Sequence, residues 1–277
     1  MSTSFVNKVV VITGAGLGMG RLLAIGAAQR GARVAIWDID AVNGESVRAE
    51  VGDQARFYQV DVTDKEAVKK AADQVAADFG RVDIIINNAG VVSGRPLSEL
   101  TDEQIERTLG VNTLSLFWVT RAFLPYLRKR SRAKIVTTAS AAGLIAPASM
   151  TDYSASKFAA VGFMDALRAE LTRDHKENGA ADISTLTVTP YYISTGMFDG
   201  VTTKFPALLP ILSPEYAVKR ILRFIECDRQ RLMMPRFIVL TALAKLSPPI
   251  VSDHVLNFLG LNHAMDNFQG RQGKVEK

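Results

Sequence analysis

Residues 8–20 read KVVVITGAGLGMG, a β-branched run that ends at a threonine and passes into alternating glycines. Valine and isoleucine in succession, with no polar alternation, describe a strand buried on both faces, as in the interior of a parallel sheet. Gly14, Gly16, Gly18 and Gly20 then fill the turn that opens a helix. Glycine there permits a tight turn and lets backbone amides at a helix N-terminus come close to a pyrophosphate. Structural turns use glycine too, so the loop takes its meaning from the strand before it and the helix after it. On that reading Gly14, Leu17, Gly18 and Gly20 touch a dinucleotide.

Outward from this stretch the same alternation repeats. Strand patterns at 33–37 (RVAIW), 56–60 (RFYQV), 82–87 (VDIIIN), 134–139 (KIVTTA) and 182–188 (DISTLTV) are separated by helical segments, among them amphipathic ones at 64–79 and 101–130. Such spacing leaves room for right-handed crossovers and predicts an α/β fold, a doubly wound parallel sheet of the Rossmann kind. With no composition shift or internal repeat, residues 1–277 read as a single domain. Ligands of such sheets bind beyond the carboxyl ends of the strands, which makes the strand-end residues the informative ones.

The second strand ends at Trp37 and Asp38, 18 residues past Gly20. A carboxylate there can accept hydrogen bonds from both adenosine ribose hydroxyls and repels a 2′-phosphate, which favours NAD over NADP; a helix-capping or surface aspartate is the alternative. Asp61 and Val62 follow the third strand, placed to hold the adenine. The fourth strand closes in NNAG, residues 87–90, where Asn88, Ala89 and Gly90 are candidate cofactor contacts, although Asn and Gly are also ordinary turn residues.

The stretch DYSASK, residues 152–157, sets Tyr153 and Lys157 four apart on one helix face. Packing alone would explain a tyrosine near a lysine. The ordered set explains more: the glycine loop, NNAG, Asn112 in GVN, Ser140 in TTASAAG and Tyr153 with Lys157 resembles the short-chain dehydrogenases and reductases from about Lys8 to Thr195, with Ser140 preceding Tyr153 by the family interval of 13 residues. The resemblance implies that Tyr153 is the general acid/base of hydride transfer between an alcohol or carbonyl and NAD(H). Lys157 would hold the nicotinamide ribose, Ser140 the substrate oxygen, and Asn112 a water in a proton relay; Ile193 and Thr195 would hold the carboxamide. Lowering a phenol from about 10 by 2 to 3 units needs roughly 3 to 4 kcal/mol of phenolate stabilisation, which a nearby ammonium and the positive nicotinamide would supply. Tyr191 departs from the family pattern, which has glycine after the proline of PYYIST, residues 190–195.

WDID, SASKFAAVGF, PILSPEYAV and LGLNHAMD resemble the branch of epidermal retinol dehydrogenases and 17β-hydroxysteroid dehydrogenases. That resemblance implies a retinoid, steroid or similar lipophilic substrate. Many members carry an N-terminal membrane anchor, whereas this sequence starts almost directly on its first strand, so none is expected. Residues 196–222 are read as a substrate lid and its helix, with Phe198, Phe205, Leu208, Leu209, Ile211 and Leu212 serving a greasy substrate or ordinary packing equally well. An apolar extension at 232–262, interrupted by charges and prolines, is too short to span a bilayer. It is expected to cover the active site or join a subunit interface in a homodimer or homotetramer, ahead of peripheral membrane contact. The polar tail 269–277 is expected to be disordered.

Composition narrows the remaining classes. The 277 residues are 48% hydrophobic and 22% charged with a net charge of +5, ordinary values for a soluble protein. The basic cluster RKRSRAK, with Arg128, Lys129, Arg130, Arg132 and Lys134, reads as a solvated face at a helix end; no nucleic-acid motif accompanies it. Cys227 is the lone cysteine, which with the absence of a signal peptide points to a cytoplasmic setting. His175, His254 and His263 have no ligand spacing, and no metal is expected. Two other readings compete with a dehydrogenase. A non-catalytic dinucleotide sensor would have no use for the proton-transfer set, and a sugar-nucleotide epimerase would need a longer, more polar C-terminal part.

Overall fold

A computed structural model describes residues 4–244 and 247–270. Seven strands form one sheet: β1 (Val9–Thr13), β2 (Arg33–Asp38), β3 (Ala55–Gln59), β4 (Ile84–Asn87), β5 (Arg132–Thr138), β6 (Asp182–Pro190) and β7 (Arg231–Met234). Their order is β3-β2-β1-β4-β5-β6-β7, and every pairing is parallel. The helices are α1 (Gly18–Ala28), α2 (Ala41–Val51), α3 (Lys65–Phe79), α4 (Asp102–Leu109), α5 (Ser115–Leu127), α6 (Thr151–Asn178), α7 (Pro214–Glu226), α8 (Ile238–Ala244) and α9 (Pro249–Phe258).

The two-sided strands find partners on both faces. Val10, Ile12, Val34 and Ile36 point to the layer of α1 and α7, whereas Val9, Val11, Ala35 and Trp37 point to α3, α5 and α6. Alternate residues of a strand face opposite ways, so one apolar run serves two cores. Trp37 is fully buried with its ring 5.2 Å from that of Phe123 on α5.

At the amino ends of the strands, charge pairs fix the sheet. Asp83 accepts from Val9 N at 2.9 Å and from Arg81 Nε at 2.8 Å. Lys134, expected on a solvated face, instead lies 1% exposed on β5 and donates to Asp228 at 2.6 Å and Ser184 at 3.1 Å. Strand alternation turned it inward, and Arg132 of the same cluster also pairs with Asp228. Arg128 and Lys129 at the helix end match the solvated reading; both are exposed, and Arg128 pairs with Asp174 at 3.0 Å.

Two further expectations change. The segment 101–130 is two helices joined by a π turn at Gly110–Leu114. The extension read at 232–262 begins inside β7, which completes the sheet against β6. The helix expected to follow the lid is α7, whose Ala217, Val218, Ile221 and Leu222 belong to the core beside α1. Between them, Thr202 N donates to Ala264 O at 3.2 Å and Gln269 N to Asp199 O at 2.9 Å, so the chain from 196 to 212 is stitched to the segment after α9. The tail predicted to be disordered falls, beyond Gly270, outside the described residues.

Candidate active site

The carboxyl ends of the strands open into a cavity of about 710 Å³. Its walls divide as the sheet does. Gly14 to Gly20, Asp38, Asp61 and Asn88 to Val91 come from the ends of β1 to β4, and Ser140, Tyr153, Tyr191 and Leu261 from chain beyond β5, β6 and β7.

On the first side, α1 differs from α2, α3, α4 and α7, which Asp40, Asp64, Thr101 and Ser213 cap with side-chain oxygens. Its N-cap Leu17 supplies no such bond, and no acidic residue sits in its first turn. Its free amides at the cavity form a ready anion site. Gly14 has φ +63°, and a methyl there would lie 2.8 Å from Ala89 Cα; one on Gly20 would lie 1.9 Å from Gly14 O. Either methyl would force the loop apart, so glycine is what lets the chain turn tightly enough to aim the α1 amides at the cavity, and these residues fit a pyrophosphate. Thr13, which the sequence reading passed over, holds the cradle to β4: its hydroxyl accepts from Asn88 N at 3.0 Å and Ala89 N at 3.1 Å. Asn88 Nδ2 in turn donates to Thr13 O and Gly14 O, each at 3.2 Å.

Asp38 is set by the backbone, accepting from Gly16 N at 2.7 Å and Asp40 N at 3.0 Å. Each carboxylate oxygen retains acceptor capacity toward the cavity, which suits a diol. Asp61 forms a turn with Thr63, and Val62 is buried; both line the cavity, as do Ile193 and Thr195.

On the other side, α6 presents Tyr153 and Lys157, each 4% exposed. Lys157 Nζ donates to Thr138 O at 3.0 Å and stands 5.5 Å from the Tyr153 ring centroid. Burial pushes the Tyr153 phenol up to about 12, opposed by a hydrogen bond with Ser140, and burial pulls Lys157 down to about 8. Without the cofactor, burial thus outweighs the charge of Lys157, and the lowering expected of the ammonium together with the positive nicotinamide is not reached by the ammonium alone. Ser140 Oγ also accepts from Ala142 N at 3.1 Å. The turn carrying it sits against α6 through Gly143, where a methyl would come within 2.4 Å of Lys157 O. Gly143 was quoted in TTASAAG but not singled out, since its role depends on a neighbour that only folding supplies.

Asn112, in the π turn, is 1% exposed. Its side chain accepts from Val91 N at 2.9 Å and donates to Val91 O at 2.9 Å and Ser156 Oγ at 3.0 Å. With these groups engaged, the side chain braces the NNAG loop against α6. Gly90 lies between it and Lys157: a methyl there would stand 3.3 Å from Asn112 Oδ1 and 3.5 Å from Lys157 Nζ.

Over this set lies an aromatic wall. Phe198 meets the Tyr153 ring at 5.8 Å and that of Tyr192 at 5.2 Å, and Tyr192 meets Tyr191 at 4.5 Å. Ile145, Met150 and Leu261 extend it. Of the apolar residues in 196–212, Met197 and Phe198 reach the cavity, whereas Leu209 is fully buried, Phe205 packs on Phe258, and Leu208 and Ile211 are exposed. Among the described residues no group of three or more His, Cys, Asp or Glu side chains could hold a metal, and no helix is long and apolar enough to cross a membrane.

A dinucleotide cradle facing a buried Ser, Tyr and Lys set defines an alcohol or carbonyl oxidoreductase that uses a nicotinamide cofactor. Residues 8–205 match the family model described as short chain dehydrogenase, and the chain belongs to that family. It is 39% identical to epidermal retinol dehydrogenase 2 of Mus musculus over 97% of this chain and 87% of the relative. It is 40% identical to short-chain dehydrogenase/reductase family 16C member 6 of Bos taurus, over 98% and 86% respectively. A 3-ketoacyl-(acyl-carrier-protein) reductase from Brucella melitensis, solved with NADH, superposes with a TM-score of 0.75 at 26% identity, covering 83% of this chain and 98% of that one.

Proposed function

We propose that the protein interconverts a lipophilic alcohol, a retinoid or steroid in class, and its carbonyl, with NAD(H) preferred over NADP(H). The observation that carries this reading is the placing of Ser140, Tyr153 and Lys157 together on the cavity under the wall of Tyr191, Tyr192 and Phe198. An apolar, aromatic wall beside one hydroxyl pair recognises a long hydrophobic body with a single oxygen. The Mus musculus relative, named for retinol, supports that class. Asp38 supports the cofactor preference, since a carboxylate fixed at the end of β2 repels a 2′-phosphate.

A bound oxidised nicotinamide supplies the hydride acceptor and a positive ring. Ser140 holds the substrate oxygen, the Tyr153 phenolate takes the hydroxyl proton during oxidation, and the same phenol returns a proton during reduction. Lys157 is held by Thr138 O beside the phenol and has further donors for the cofactor ribose. Asn112 keeps the floor of the site in place. The test is absorbance at 340 nm with NAD and, separately, NADP against all-trans-retinol and a 17β-hydroxysteroid. NAD-linked turnover lost in Tyr153→Phe is the expected result, and undiminished turnover in that variant would overturn the assignment.

A further inference from the structure

The polar contacts between α6 and the α4–α5 segment repeat with helical spacing. Thr108, in the last turn of α4, donates its hydroxyl to Asp152 Oδ2 at 2.8 Å. Four residues further along both elements, Asn112 Nδ2 donates to Ser156 Oγ at 3.0 Å. Thr113 Oγ1 adds a bond to Ser156 O at 3.2 Å, and Ser93 Oγ lies 3.3 Å from Thr108 Oγ1. Asp152 directly precedes Tyr153 and Ser156 directly precedes Lys157, so each rung holds the side chain next to one member of the pair.

The first rung is chemically expensive. Asp152 is 5% exposed, and its Oδ1, like Ser154 Oγ, is buried without a hydrogen-bond partner among the described residues. A buried carboxylate is costly unless fully paired, and an apolar contact of the same shape would join the helices at less cost. What an apolar contact would not do is fix rotation. Two hydrogen-bonded rungs one helical turn apart prevent the start of α6 from rolling about its axis, and a roll would carry the phenol away from Ser140.

We propose that Thr108 and Asp152 are positioning residues for proton transfer, their bond fixing the rotation of the first turn of α6 and so the place of the Tyr153 oxygen against Ser140. This rests on the acid–base reading of Tyr153. The experiment compares full-length Thr108→Val, Thr108→Ser and Tyr153→Phe in oxidation of all-trans-retinol by NAD. Thr108→Val is expected to lower kcat about tenfold or more, with the Kd for NAD within about twofold and a larger deuterium isotope effect from retinol labelled at the carbinol carbon. Thr108→Ser, which keeps the donor, is expected to restore all three. A Thr108→Val enzyme that keeps kcat within about twofold and the same isotope effect overturns the proposal. A second readout needs no turnover: the ultraviolet titration of Tyr153 at saturating NAD, taken as the difference from Tyr153→Phe, should shift in Thr108→Val and recover in Thr108→Ser. An unmoved midpoint overturns the proposal. Activity that survives Tyr153→Phe removes the underlying acid–base reading; activity lost there but kept in Thr108→Val removes only the positioning role.

Discussion

At the residue scale the site turns on how a phenol held up to about 12 comes to work near neutral pH. Burial is the first cause of that rise, and the Ser140 bond only moderates it. The ionised form needs positive charge near the phenol oxygen, where Lys157, 5.5 Å from the ring centroid, does not outweigh burial and an oxidised nicotinamide would add to it. The expected outcome is a Tyr153 absorbance near 295 nm that titrates close to 12 in the free protein and lower by about 2 units or more with NAD bound. By linkage, NAD then binds more tightly as pH rises toward the free value. A midpoint indifferent to NAD would contradict this account. The same shifts set a stability profile. Lys157, depressed to about 8 against an unfolded value of about 10.4, makes its contribution rise between those values. Tyr153, raised from about 10, makes stability fall as pH climbs from there toward 12. Tyr153, Lys157 and Ser140 were legible in the sequence because helical spacing and residue type carry their meaning. Thr13 and Thr108 were not, since a threonine at a strand or helix end looks the same whether its hydroxyl meets water or, as here, a backbone amide or a buried carboxylate.

At the scale of elements, six strands and the glycine turn could be read from apolar runs, but β7 could not. RLMM is four residues long, carries no β-branched side chain, and becomes a strand only because β6 offers it an edge. The π turn was hidden for a related reason: GVNTL has the periodicity of the helix around it, and its wider turn is set by what Asn112 must reach. The contact between the Ser140 turn and α6 gives a prediction at this scale. Gly143→Ala forces a methyl against Lys157 O, so turn and helix must separate. A loss of about 1 to 3 kcal/mol in stability is expected from such overpacking. A fall of roughly tenfold or more in kcat/KM should accompany it, with the NAD Kd within about twofold, because the cradle lies across the sheet. Chemical denaturation and steady-state kinetics on one preparation check both; an unchanged kcat/KM would mean the turn can yield without moving Ser140.

At the scale of the whole molecule, a cofactor bound in the cavity lined by the ends of β1 to β4 would tie the folded state together. NAD at about 100 times its Kd should add roughly 2.7 kcal/mol and raise Tm by several degrees. NADP at equal concentration should give a smaller shift, and Asp38→Ala should narrow the gap. Equal shifts in the unmutated protein would refute the assignment of Asp38. Sheet layering was legible as a whole because two-sided burial writes itself into every strand, whereas the fate of the C-terminal segment was not, since its apolar residues meet partners more than fifty positions away, as Phe258 meets Phe205.

The strand order also has a meaning for inheritance. Residues up to Val91 build one half of the cavity and residues from about Ser140 build most of the other, and the break in space coincides with a break in the chain. A single recombination event between β4 and β5 would therefore exchange most of the substrate-side wall while keeping the glycine cradle and Asp38, with the bonds of Asn112 to Val91 and Ser156 as the contacts to be matched across the join. On this plan a new substrate wall could be joined to an old cradle in one place, and the carboxylate at the end of β2 would pass to the descendant with the cradle.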